Sequence, residues 1–317
     1  MNLVHLHLLL NHWPIIGTFI AVAAFIVALL AKSRHLTEAS LVMFALVALL
    51  SVPTYITGSA AQQVIQAEGE SLAPVMATHQ GAGLLALAFI ELTGGLAWLG
   101  LWQFRRRSRA SAWTVGALLV TSIVTIGLVT VAGNTGGAIH HPEILSGPQT
   151  ASAVGTLGLR IDATIQYLVV NSSRLVWALL EVLHFVGLAL LLAGTGVLNL
   201  RVLGFLKQFP LGPLHRLLVW AVAGLAINIV TGMLFFLGMP YFYVYNVDFH
   251  VKMFAVVLAG VNLLLHCTPL FPDCDHLGPD QEAPALAKLF AGSSIVLWLA
   301  VIVLGRYMPL FEETLTP

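Results

Sequence analysis

Histidine is the side chain in this sequence best placed to do chemistry. Twelve occur in 317 residues, against fourteen Lys plus Arg and fourteen Asp plus Glu, and most stand inside or at the ends of long apolar runs. Lipid offers an imidazole no water to bond, so one kept there takes a metal, a haem, another polar side chain or a proton route as its partner. Four of the twelve, His184, His215, His250 and His266, fall on the apolar runs of the second half of the chain. Paired imidazoles on facing helices are what a low-spin b-type haem needs, because its iron takes one axial nitrogen from each face of the porphyrin.

The elements that must position them are membrane helices. The chain is 58% hydrophobic and 9% charged, which predicts an all-α polytopic membrane protein. Its zero net charge argues against nucleic acid as a partner. Cys267 and Cys274, with six residues between them, match neither a disulfide framework nor a zinc spacing, and the absence of CxxCH argues against covalently attached haem. The first apolar run has no basic leader before it and reads as a retained helix rather than a signal peptide.

Eight runs reach the roughly 20 residues needed to cross the hydrocarbon: 9–31, 40–60, 80–104, 112–133, 175–200, 213–239, 249–267 and 286–306. Lys32, Arg34, Arg105, Arg106, Arg107, Arg201, Lys207 and Arg216 fall in loops that alternate crossings place together, so those loops are expected in the cytoplasm and both termini outside. The expected organisation is a four-helix bundle over 1–133, an extracytoplasmic connecting segment over 134–173 that is too polar to insert, and a second four-helix bundle over 174–317.

Depth along the helices pairs the ligands. His250 and His266 are separated by about 24 Å of helix, and His184 stands about 25 Å above Arg201, so His184 is level with His250 and His215 with His266. Gly187, Gly194, Gly196, Gly224, Gly232 and Gly260 would give a macrocycle clearance, or else mediate close helix contact. In the first half, His12 and His79 each precede an apolar span by about three residues and are expected to share a depth, as a third haem site or a metal site. His5, His7, His140 and His141 read as interfacial, and His35 and His276 as loop residues.

At these residues two resemblances become visible. Asn11-His12-Trp13-Pro14-Ile15, His79 and Gly136-Gly137 with the histidines after them resemble a bacterial four-helix membrane family with a VHFPI-type opening. From about 174 to 266 the chain resembles a second bacterial four-helix family. Its marks here are Leu183-His184, Leu200-Arg201-Val202-Leu203-Gly204, Thr231-Gly232, Phe249-His250-Val251-Lys252, and Asn262 with His266. Both families are similar to small b-type membrane cytochromes, and the resemblance supports His184 and His266 more firmly than His215 or His250.

Other polar groups are read around this frame. Glu181, one turn before His184, is expected to be buried and to accept a proton beside a quinol or to orient a ligand imidazole. A di-iron centre would need a second Glu-x-x-His and two more carboxylates. Glu91 lies midway along the third helix, and Arg160, Arg174, Lys252, Arg201 and Arg216 are positioned to pair with haem propionates. Trp98, Trp102, Trp113, Trp177, Tyr241, Phe242, Tyr243 and Tyr245 read as an interfacial belt, and 239–246 also as an outer docking surface.

The expectation is a bacterial cytoplasmic-membrane b-type cytochrome subunit. It would carry two haems b on His184, His250, His215 and His266, with a third on His12 and His79. Electrons would pass between a quinone pool and an outer-face redox partner such as a c-type cytochrome. The alternatives are a histidine-lined protein handling copper or iron, which discounts itself for want of soft sulfur ligands, and a purely structural anchor in a respiratory assembly.

Overall fold

The computed structural model describes residues 3–68, 73–107, 109–140, 152–268, 271, 274 and 276–308. Among these every regular element is helical. The elements are α1 (Leu3–Leu10), α2 (His12–Leu30), α3 (Arg34–Glu68), α4 (Ala73–Arg107), α5 (Ala112–His140), α6 (Ala153–Gln166), α7 (Arg174–Leu203), α8 (Leu211–Leu214), α9 (Leu218–Gly238), α10 (Pro240–Val244), α11 (Val247–His266) and α12 (Ala285–Tyr307). A π-helical turn, Tyr167–Ser172, follows α6.

Among the described residues, nine helical stretches are long and apolar enough to cross a membrane, not eight. This is a multi-pass membrane protein. The additional stretch, Ala153–Ser172, lies in the segment expected to be too polar to insert. Its one carboxylate is turned into the bundle. Asp162 is 5% exposed and accepts from Gln80 Nε2 at 2.9 Å, while Gln62 donates to Gln80 Oε1 at 2.7 Å. Its glycines let the backbones touch. A Cβ on Gly158 would lie 1.9 Å from the Gly81 carbonyl oxygen, and one on Gly81 2.0 Å from that of Gly155. Small residues at both sides of a crossing allow this approach, and it holds α6 on α4. Eight crossings return the termini to one face of the membrane, whereas nine leave them on opposite faces.

The chain divides into two compact units, Met1–Leu168 and Val169–Pro317. In the first, α2 packs on α3 and α5, α4 on α3 and α5, α1 on α3 and α6 on α4. Val47, Ala48, Ala86, Ile90 and Val129, with Ile15 and Ala132 against them, form a core drawn from α2, α3, α4 and α5. Hydroxyl residues on these helices bond their own backbone four residues back, as Ser51 does to Val47 O at 2.6 Å and Thr125 to Thr121 O at 2.8 Å, so they sit in an apolar setting with their donors satisfied.

In the second unit, α7 packs along α9 and α12, and α12 along α11. The α7–α9 seam is close. A Cβ on Gly224 would lie 2.4 Å from Gly187 O, and one on Gly194 2.7 Å from Leu217 O. At Gly187, Gly194 and Gly224 the small residues therefore serve close contact, not clearance for a macrocycle. Arg201 is 0% exposed and closes one end of this unit. Its guanidinium donates from Nε to Phe209 O at 2.6 Å, from Nη1 to Gln281 O at 3.2 Å and from Nη2 to Gly278 O at 2.8 Å. Those carbonyls belong to the two loops at that end, so Arg201 staples the loops.

Candidate functional site

His184 sits on the α7 face that meets α9. Its Nδ1 is 2.7 Å from the Thr231 hydroxyl, and Thr231 is 0% exposed. A hydroxyl has one proton, and that of Thr231 goes to Ile227 O at 2.7 Å. With that proton on Ile227 O, Thr231 accepts from His184, which then carries its proton on Nδ1 and its lone pair on Nε2. Gly232 lies beside the ring, where a Cβ would make ordinary van der Waals contact with His184 Cε1 at 3.7 Å. Phe235 meets the imidazole edge to face at 5.9 Å between centroids and packs on Trp177 at 4.8 Å. Metal-bound histidines have this arrangement, with the second ring nitrogen donating to a fixed acceptor.

The same tautomer recurs. His266 Nδ1 donates to Asn262 O at 2.9 Å, His79 Nδ1 to Ala132 O at 3.0 Å, His7 Nδ1 to Thr54 O at 3.0 Å and His12 Nδ1 to Leu8 O at 3.3 Å. A carbonyl can only accept, so each ring keeps its lone pair on Nε2. His250 is the exception. Its Nε2 donates to Val244 O at 2.7 Å, a bond from α11 back to the last residue of α10, and the lone pair falls on Nδ1.

The level matching of His184 with His250 is not accompanied by contact. Among the described residues no hydrogen bond or ring contact joins them, because α7 lies against α9 and α12 while α11 lies against α12. Lys252 approaches this region instead: it interacts electrostatically with His184, and its Nζ would be 3.3 Å from a Cβ on Gly305 of α12. Glu181 is exposed on α7, not buried. The first half of α7 meets its neighbours along one narrow strip, and Leu179, Val182, Leu183 and Phe185 are exposed beside it. Its carboxylate acts on Tyr243 of α10, whose phenol is pushed up to about 12 by burial first and by that charge second.

His215 and His266 are brought to one aromatic side chain. Phe271 stacks on His266 at 4.3 Å and meets His215 edge on at 6.1 Å. Beside them is a crevice lined by Thr195, Leu198, Asn199, Leu218, Leu263, His266 and Ser294 that is too narrow for a water molecule, so this end lacks the room a porphyrin takes. The chemistry of the donor set fits haem best at His184, where the imidazole is oriented and Nε2 is the lone-pair nitrogen.

In the first unit no hydrogen bond or ring contact joins His12 to His79 among the described residues. His12 is exposed on the first turn of α2, while His79 is half-buried against α5. His7, expected at the interface, is turned inward instead and donates Nδ1–H to Thr54 O of α3. His5 is exposed, the side chain of His140 is not described and His141 lies outside the described residues. Glu91 reaches the α4 interior with a buried oxygen, Oε1, that has no hydrogen-bond partner. Among the described residues no three His, Cys, Asp or Glu side chains gather as a metal cage. Comparison of the chain with family models, with curated proteins and with solved structures finds no match.

Proposed function

We propose that this multi-pass membrane protein is a b-type cytochrome subunit of a bacterial respiratory membrane, built of two helical bundles, and that His184 is a haem ligand through Nε2. The observation that carries the reading is the His184–Thr231–Ile227 hydrogen-bond chain, which fixes the imidazole tautomer and ring direction inside a membrane helix pair. A haem iron bound there supplies one-electron transfer between a quinone pool and a redox partner such as a c-type cytochrome. The protein's own part is to hold the ring, to exclude water with Phe235 and Trp177, and to set a cation, Lys252, near enough to balance an anionic group. His250 keeps the opposite tautomer and would have to bind through Nδ1. A second haem on His215 and His266 would require their cleft to widen.

Purified protein, reduced with dithionite, tests this directly. The reading expects the paired sharp absorption bands of low-spin bis-histidine haem and their loss in His184→Ala. Haem-free protein from cells supplied with haem precursor would sink it. The second reading, handling of copper or iron ions, gains from the number of ordered imidazoles but lacks a cage of three or more ligands among the described residues. Metal analysis of haem-free protein separates the two.

A further inference from the structure

We infer that Asp162 of α6 is a proton-binding site in the interior of the first unit, a neutral carboxylic acid whose proton exchanges with water. Three helices build it. Gln62 of α3 donates Nε2–H to Gln80 Oε1 at 2.7 Å, and Gln80 of α4 donates Nε2–H to Asp162 Oδ2 at 2.9 Å. The first bond fixes the direction of the second, because an amide that accepts through its oxygen turns its nitrogen the other way. Asp162 is 5% exposed, and its Oδ1 is buried with no hydrogen-bond partner. One turn before it, the contact between Gly158 and Gly81 closes α6 on α4.

The surroundings decide the protonation state. Among the described residues no cation forms an ion pair with Asp162. Arg160 is exposed and stands two residues away, a rotation of about 200°, so it leaves α6 from the opposite side. The facing helices bring no counter-charge either. Tyr55 of α3, which is coupled electrostatically to Asp162, lies against α4 beside Gly83 and is a neutral phenol. His79 turns its Nδ1–H to Ala132 O of α5, and Glu91 stands about 16 Å beyond Gln80 along α4. One neutral amide donor does not offset the desolvation of a carboxylate, so the group keeps its proton. With Oδ2 engaged by Gln80, the O–H is on Oδ1.

An asparagine would accept from Gln80 equally well; what the carboxyl adds is a proton it can lose. In that step the O–H bond of the acid breaks, the proton passes to a water molecule and the electron pair stays on the carboxylate. Gln80 Nε2–H then bonds a charged oxygen, a stronger bond than the one to the neutral acid. The inference stands apart from the cytochrome reading and needs no haem.

Infrared difference spectra of full-length protein in lipid vesicles test it at neutral pH, where an ordinary aspartate is ionised. Wild type minus Asp162→Asn should show the carbonyl band of a neutral carboxylic acid, and that band should shift on transfer to D2O. Asp162→Glu should restore a band of this kind. Gln80→Leu should keep the band and move it to higher frequency, the direction for a carbonyl that has lost a hydrogen bond. Glu91→Gln, which removes the other acid with a partnerless buried oxygen, should leave the band in place. Loss of carboxylate bands alone in Asp162→Asn overturns the inference, as does a band that only Glu91→Gln abolishes. So does a band that stays unmoved in D2O or in Gln80→Leu.

Discussion

Replacing Thr231 with Val isolates the contact on which the His184 assignment turns. Valine keeps the branched shape and removes only the hydroxyl, so packing against α7 is nearly conserved. What is lost is the acceptor 2.7 Å from His184 Nδ1 at a position with 0% exposure. A buried donor left without its acceptor costs about 1–3 kcal/mol. Loss of the group that orients a metal-bound histidine typically lowers affinity about 10–100-fold, which is roughly 1.4–2.8 kcal/mol at 1.4 kcal/mol per decade. The two routes agree because they describe one event, an imidazole freed to rotate and change tautomer. Haem loss can be followed by transfer to an excess of apomyoglobin, with Thr231→Ser, which restores the hydroxyl, as the control. Thr231→Val should shed haem at least tenfold faster than wild type and Thr231→Ser within about threefold. Equal rates for all three would refute the claim that Thr231 sets the ligand.

Four further outcomes follow. Arg201→Lys keeps the charge but cannot reach three carbonyls from one nitrogen, so at two lost charged bonds of roughly 1.5 kcal/mol or more each the loops around Phe209 and Gly278 should become protease-sensitive. Gly158→Ala must move α6 off α4 at about 1–3 kcal/mol, lowering the melting temperature in detergent, whereas Gly95→Ala on α4, where a Cβ meets nothing within 4 Å, should be silent. Glu282 is held down to about 2 by hydrogen bonds from Lys207 and Lys288. A depressed carboxyl contributes above its unfolded value of 4.5, and the contribution fades as pH falls from there towards 2; salt should weaken it too, read as mobility of a spin label beside Lys207. If Ala153–Ser172 crosses the membrane, amino- and carboxy-terminal tags on intact cells should show opposite accessibility, and equal accessibility would place that stretch in the interface.

The long apolar runs were legible because lipid imposes a length and a composition on each span. Ala153–Ser172 was not, since at a mean hydropathy of 1.2 it is the least apolar of the nine stretches and lies in a segment rich in Gly, Ser and Thr. Depth could be counted along each helix, but neighbours could not: the count placed His184 level with His250, while packing set it on Thr231. Nor could depth choose between His7 and His12. Five residues turn a helix by about 500°, leaving the two side chains roughly 140° apart, so only one could enter the bundle. The glycines carried a true signal with two readings, and only the distance from Gly224 to Gly187 O decided that the α7–α9 seam is closed.

The hydrogen bonds behind His7, His79, His184 and His266 also settle what these rings are unable to conduct. A proton hops through an imidazole by arriving on one nitrogen and leaving from the other, and here the other nitrogen is tied to a backbone carbonyl or to a threonine whose own proton is committed. None of those acceptors can take the proton onward. Each ring is a dead end for protons, so none opens a leak along the membrane helices.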